Sequence, residues 1–505
     1  MKKLTLLALV ASTYAVSCAP TTPQAAEQKL YEPTWESLAE HTKAPEWFKD
    51  SKLGIYYHWG IYSVPAFDSE WYPRWMYFPN RKGWGETTHP HHIEKYGSLD
   101  EFNYHDFIPM FKAEKFDPAE WAELFEATGA RFAGPVAIHH DGFSMWDSEI
   151  NPWNCGDEGP KRDLLGEIYK ELEKRDIHTI ATFHHARNLQ RYAKDTLNWG
   201  GENSHYPYNP EYITSTTDPK LKYLYGNLEE EEGNKYWLDL VDEVIDKYQP
   251  DIIWYDSWLD CIPMQTRCQM VANQFNAGVK RGEETIVVNK QQDLPLNIAI
   301  NDIEQGGMID MPEDYWMTDI TLSYGSWCYT EGQAYKKIGV LLRNMIDVWS
   351  KKGIVLLNIS PRADGVIVEA QQKVMLQLGD WLDKYGEAIY DTRSYTIFGY
   401  GDAAHEDGHF GGQSATMQYT ANDVRFTTSK DGKSLYAIVL GMPAENSKLV
   451  IKHVANSDYP TVKNVSVVAS NKSLGFSLNG DTLTIDTPTA SEMNDIATAF
   501  KIEFK

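Results

Sequence analysis

The residues able to do chemistry in this 505-residue chain sit at the ends of short apolar runs. Ile252-Ile253-Trp254-Tyr255 stops abruptly at Asp256. A buried strand that delivers a carboxylate at its C-terminal end is how a (β/α) barrel places a reacting group, which makes Asp256 the first catalytic candidate. A carboxylate capping the next helix, or paired with a lysine, is the plainer alternative. His58 follows Gly54–Tyr57 and is flanked by Trp59 and Gly60, with Glu70-Trp71-Tyr72 beyond, which suits a polar, aromatic-lined pocket. His139 and His140 follow Gly134–Ile138, and His184-His185 follow Thr179–Phe183. Adjacent histidines suggest a metal, but consecutive residues of a strand point apart and no carboxylate at ligand spacing completes a set. Neutral imidazoles binding hydroxyls is the better reading, and no metal or cofactor is expected. The stretch Asn301–Tyr329 adds Asp302, Glu304, Asp310, Glu313 and Asp319. Cleaving a glycosidic bond takes two carboxyl groups, one to attack or to activate water and one to protonate the leaving oxygen. Paired acids, histidines and aromatics together favour that chemistry, though their spacing alone does not prove it.

These residues need elements to hold them. Six short apolar runs (Gly54–Tyr57, Gly134–Ile138, Thr179–Phe183, Ile252–Tyr255, Ile286–Val288 and Ile354–Leu357) alternate with amphipathic helical stretches. In one of these, Asp117 caps a helix that Pro118 starts and that carries Trp121, Leu124 and Phe125. Others cover Lys161–Lys174 and Lys235–Tyr248, the latter with Tyr236, Trp237, Leu240, Val241, Val244, Ile245 and Tyr248 at helical spacing. Such alternation implies a parallel sheet. A doubly wound sheet would show one switch point and a Gly-rich phosphate turn; a barrel collecting residues from many strand ends fits better. After about residue 395 the pattern changes to short alternating segments, Ser434–Val439, Leu449–His453, Val462–Val468 and Thr482–Ile485, with turns such as Asp431-Gly432 and Asn479-Gly480. This reads as a small antiparallel β-sandwich.

Composition narrows the partners. A formal charge of −25 argues against nucleic acid and anionic membrane surfaces. Seventeen Trp and thirty Tyr supply the flat apolar faces that cover the C–H faces of a sugar ring. Lys2 and Lys3 precede an apolar stretch, Leu4–Val16, too short to span a bilayer permanently. Ala15-Val16-Ser17-Cys18 resembles a bacterial lipoprotein cleavage site, with Cys18 lipidated; ordinary signal cleavage nearby is the competing reading. An exported protein, periplasmic or anchored to a bacterial outer membrane by lipid alone, is expected. The expected divisions are a signal peptide at 1–17, a lipidated Cys and tether at 18–33, a (β/α) barrel at 34–392 and a β-sandwich at 393–505. Cys155, Cys261, Cys268 and Cys328 match no zinc spacing; Cys261 and Cys268 could pair, and buried free thiols are an equal alternative.

His58-Trp59-Gly60, His139-His140-Asp141-Gly142-Phe143, Trp254-Tyr255-Asp256, Ser326-Trp327-Cys328-Tyr329, Leu356–Pro361 and Lys384–Tyr390 occur in the order seen in α-L-fucosidases of glycoside hydrolase family 29, and the chain resembles that family over roughly residues 34–400. The resemblance implies a retaining exo-hydrolase that releases terminal α-L-fucose from an oligosaccharide or polysaccharide. Asp256 matches the nucleophile, and Glu304 is the best match for the acid/base, ahead of Glu313 or Asp302. His58, His139 and His140 match ligands of sugar hydroxyls, His184 stands near a position where many relatives carry Tyr, and Trp71 and Trp254 match aromatic pocket walls. Two departures stand out. Trp316-Met317 replaces a Trp-Glu pair, and Asn289-Lys290-Gln291 replaces an Asn-Asp-Arg whose Arg contacts sugar. The second motivates alternatives, a hydrolase for sulfated fucosides or α-L-galactosides; a non-catalytic carbohydrate-binding protein on the same scaffold is a third.

Overall fold

The computed structural model describes residues 29–188, 205–256, 259–401, 403, 409–410, 418–445, 447–454 and 461–505. The proposed signal peptide, Cys18 and most of the tether lie outside the described residues. Eight parallel strands make the main sheet: β1 (Leu53–Tyr57), β2 (Phe132–Ile138), β3 (His178–Phe183), β4 (Ile252–Tyr255), β5 (Ile286–Asn289), β6 (Ile300–Asn301), β7 (Trp316–Thr321) and β8 (Gly353–Ile359). Their order is β6-β5-β4-β3-β2-β1-β8-β7. A parallel bridge between Asp302 and Met317 brings β6 against β7, so the sheet curls into a nearly closed barrel.

A parallel sheet is buried on both faces, so its strands read as continuous apolar runs. Alternation then sorts their side chains. Ile252 and Trp254 of β4, Ile286 and Val288 of β5, and Ile354 and Leu356 of β8 fill the barrel interior. Ile253, Tyr255, Val287, Val355 and Leu357 face the outer layer. That layer includes the helices Pro118–Thr128, Leu164–Glu173, Glu230–Tyr248, Met264–Arg281, Ile338–Ser350 and Glu369–Tyr385. Asp117 caps the first, accepting from the Ala119 and Glu120 N–H groups at 2.9 and 3.2 Å. Between β5 and β6, and between β6 and β7, the described chain forms no helix. Lys290, Gln291 and Glu304 therefore ride on bare loops at the C-terminal end of the barrel.

The sandwich expected from sequence is present. Thr392–Tyr400, Val424–Ser429, Ser434–Val439, Thr498–Phe504 and Val462–Val467 form one antiparallel sheet in that spatial order; Lys448–Ile451, Thr482–Asp486 and Phe476–Asn479 form another. Cys155, Cys261, Cys268 and Cys328 are all free, so the Cys261–Cys268 bond does not form. No helix among the described residues is long and apolar enough to cross a membrane.

Candidate active site

The C-terminal strand ends converge on a cavity of about 250 Å³. Asp256 follows β4 directly and shares the inward direction of Ile252 and Trp254. Its Oδ2 lies 3.2 Å from His140 Nε2 and its Oδ1 lies 3.2 Å from Lys290 Nζ. Lys290 follows β5 and is a hub: its Nζ is also 3.2 Å from Glu304 Oε2 and 3.1 Å from Asp319 Oδ2. Asp319 lies inside β7 and is fully buried. Tyr56 of β1 donates its hydroxyl to the same Asp319 oxygen at 3.0 Å. The ammonium rests 4.9 Å above the Trp254 ring, a cation–π contact that offsets part of its burial.

Four buried imidazoles line the same cavity: His58, His139, His140 and His184. His58 Nδ1 donates to Asn358 Oδ1 at 2.7 Å, and the Asn358 amide in turn donates to the Trp327 carbonyl at 2.7 Å. His140 Nδ1 donates to the His184 carbonyl at 2.6 Å, which leaves Nε2 aimed at Asp256. Burial depresses all four imidazoles, His58 to about 4; at His140 the hydrogen bond and the charge of Asp256 offset part of that. His58, His139 and His184 bring ring nitrogens within 4.8 Å of one another. Neutral imidazoles are metal ligands in principle, but this spread is loose for an ion with bonds of about 2.0–2.1 Å.

The carboxyl groups are pushed apart. Burial would raise Asp256, but the Lys290 charge and the His140 hydrogen bond outweigh it and hold the carboxyl well below the usual range. Lys290 pulls Glu304 down; burial, with Asp319 and Asp256, outweighs that and leaves Glu304 raised. The Glu304 side chain is 49 % exposed, so solvent moderates the rise. Asp302, fully enclosed beside Asp319, is raised well above its ordinary value by burial and by that neighbour. Lys290, despite burial, is raised by Asp319, Glu304 and Asp256. One side of the site thus keeps an ionised carboxylate and the other favours a protonated one.

The alpha-L-fucosidase family model matches residues 18–387, and the alpha-L-fucosidase C-terminal domain model matches 417–503. This chain belongs to the alpha-L-fucosidase family. It is an enzyme of the glycoside hydrolase class. It is 30 % identical to the tissue alpha-L-fucosidase of Rattus norvegicus over 407 residues, covering 78 % of each chain. It is 28 % identical to that of Bos taurus over 497 residues, covering 94 % of this chain and 91 % of the relative. Among solved structures, the Thermotoga maritima alpha-fucosidase superposes with a TM-score of 0.71 at 28 % identity, over 94 % of this chain and all of the other. A structure of the Thermotoga maritima enzyme in complex with fucose is equally similar, at a TM-score of 0.70 and 28 % identity.

Of the residues singled out in the sequence, Asp256, Glu304, His58, Trp71, His139, His140 and His184 all line the enzyme's cavity. Trp254 does not. It is fully buried one layer down, because its side chain points into the barrel interior beneath Lys290 and His184. His139 and His140 face one cavity although they are consecutive, because they lie past the end of β2, where strand alternation no longer applies. His185, next to His184, turns away: it stacks on Trp237 and bonds the Trp237 carbonyl at 3.2 Å. Glu70, Tyr56, Lys290, Asp319 and Trp327 also line the cavity without having been assigned a role there. The Glu70-Trp71 pair was a signal for the first of these. Glu70 is buried and accepts from the Trp327 N–H at 3.1 Å, and burial pushes its carboxyl up to about 7.

Proposed function

We propose that the enzyme is a retaining exo-α-L-fucosidase that releases terminal fucose from oligosaccharides by double displacement, with Asp256 as nucleophile and Glu304 as acid/base. The observation that carries this is the shared Lys290 contact. Each carboxyl oxygen is 3.2 Å from one Nζ, so the two oxygens are at most about 6.4 Å apart. Retaining enzymes hold their carboxyl groups at about 5–5.5 Å and inverting ones at about 6.5–9.5 Å to admit a water, and two oxygens sharing one ammonium are compatible with the retaining spacing. The opposed pKa directions support the same division of labour. Asp256, ionised, attacks the anomeric carbon while Glu304 protonates the glycosidic oxygen. The bond to the leaving group breaks as the bond to Asp256 Oδ forms. Glu304, now ionised, deprotonates a water that displaces Asp256 and regenerates it. His58, His139, His140 and His184 would bind the sugar hydroxyls, and Trp71 would cover an apolar face. The cavity is smaller than the ~300–1,000 Å³ typical of pockets for larger ligands, which suits one terminal sugar ring. Fucose as that sugar is supported by the relative crystallised with fucose.

Asp256→Ala should abolish turnover of an aryl α-L-fucoside, and azide should restore part of it with a β-fucosyl azide product; full activity in the variant would sink the assignment. Glu304→Ala should spare substrates with good leaving groups far more than natural glycosides, and equal losses would point to Glu313 or Asp302. The sulfated-fucoside alternative gains nothing from Lys290, whose ammonium already contacts Asp256, Glu304 and Asp319. Export with lipid on Cys18 belongs to the same proposal, supported by the basic, apolar, cysteine order of the leader. Mass spectrometry of the mature N-terminus tests it: a start at Cys18 carrying acyl mass is expected, and an unmodified start elsewhere would refute it.

A further inference from the structure

Lys290 is a buried ammonium whose contacts are more than a strut would need. Its Nζ reaches Asp256 and Glu304, both at 3.2 Å, and the deeper-buried Asp319 at 3.1 Å. Asp319 is fully enclosed and is itself fixed by the Tyr56 hydroxyl. The cation is therefore shared among three acids at nearly equal distances rather than committed to one. We infer that Lys290, anchored by Asp319, is a positioning residue that sets which pH range finds Asp256 ionised and Glu304 protonated. This rests on the nucleophile and acid/base roles proposed above.

The other charged groups around the pair do not replace it. From β2 and β3 come His140, in contact with Asp256, and His184, both lowered by burial. Arg187 follows β3 and adds positive charge toward Asp256. From the β1 side come Tyr56, the neutral His58 and Glu70, which sits high enough to be partly protonated near neutrality. Asp302, just past β6, is raised by burial and by Asp319. Lys290 is thus the one cation within 4 Å of both reacting carboxyl groups among the described residues.

The sign follows from Coulomb attraction. A cation lowers the pKa of both carboxyl groups, and a further anion raises them. Lys290→Met should move the whole bell of kcat/KM against pH toward alkaline pH, both limbs by about one unit or more. Asp319→Asn should move it the opposite way, because Lys290 is then shared between two carboxylates rather than three. Lys290→Arg should keep the wild-type bell, and Lys290→Met/Asp319→Asn should shift less than Lys290→Met alone. The double variant also removes one cation with one anion, so it guards against a fold lost to unpaired charge. The measurement is the pH profile of aryl α-L-fucoside hydrolysis on folded variants checked by circular dichroism, with Asp256→Gly and azide run alongside. Opposite shifts support the inference. Folded variants with lowered activity and unmoved bells would overturn it and leave Lys290 structural. Azide rescue with unmoved bells would overturn this inference alone, whereas absent rescue would remove the nucleophile reading and this one together.

Discussion

At the scale of single residues, the site is held by groups whose charge state is set against their folding preference. Glu70 is the clearest. Its side chain is nearly fully buried, and burial pushes its carboxyl up to about 7 from an ordinary 4.5. A carboxyl raised on folding contributes stability that is fully present below about 4.5 and is lost as pH rises through about 7. Glu70→Gln keeps an acceptor for the Trp327 N–H and removes the titration. Its melting temperature should therefore exceed that of the wild type at pH 8 and lose that advantage at pH 4.5, with at most about 3 kcal/mol at stake. Calorimetry at the two pH values checks this, and an identical difference at both would refute it. Because Glu70 lines the cavity, the same variant should lose kcat/KM, the usual cost of a stabilised active site.

Elements explain what could be read from the sequence and what could not. β1 to β5 and β8 are continuous apolar runs, and their polar neighbours mark the strand ends. β6 has two residues, and β7 carries Thr318, Asp319 and Thr321 facing a buried environment, so neither has the apolar signature of a strand. The charge inside β7 is there to meet Lys290, and a pairing across three strands has no local trace. Lys290 was visible only as a departure from a familiar motif. In the sandwich, the edge strand Thr392–Tyr400 is mostly half-buried and Phe476–Asn479 mostly exposed, and neither carries a clean alternation. Turns matter as much as strands. Gly142 follows His139-His140-Asp141 with φ +81°, and a Cβ there would sit 2.5 Å from the Leu224 carbonyl oxygen. Gly142→Ala should displace the turn that carries both histidines and cost about 1–3 kcal/mol. We expect kcat/KM for an aryl fucoside to fall at least tenfold while circular dichroism stays native; unchanged kinetics would show that the turn tolerates the side chain.

For the whole molecule, the question is what ties the sandwich to the barrel. The helix Ile338–Ser350 leads into β8 and carries Asp347, fully buried. Asp347 Oδ1 accepts from Arg425 Nε at 2.5 Å, and Oδ2 accepts from Lys351 Nζ at 2.8 Å. Arg425 belongs to the sandwich strand Val424–Ser429, so one carboxylate pairs with a cation from each part of the chain. The Phe398 ring lies 4.4 Å from the Lys351 ammonium and 5.5 Å from the Arg425 guanidinium, which leaves little room for water. Nearby, Trp381 Nε1 donates to the Ala497 carbonyl at 2.9 Å and Arg343 Nε to the Ile496 carbonyl at 2.9 Å. Removing one partner of a buried pair costs more than the pair contributes, because the charge left behind is uncompensated. Asp347→Ala leaves two cations in that state, and a loss of about 3–5 kcal/mol is expected. No cavity residue is touched, so kcat/KM at 25 °C should stay within a factor of about two while the thermal midpoint falls by on the order of 10 °C. Because the helix feeds β8, whose Asn358 orients His58, barrel and sandwich should still unfold in one transition. A variant that melts at the wild-type temperature would show that the Asp347 pair does not tie the two parts together. The double variant Asp347→Ala/Arg425→Met separates charge from packing: partial recovery of the midpoint is expected, and a further fall would assign the loss to the aliphatic stem of Arg425 instead.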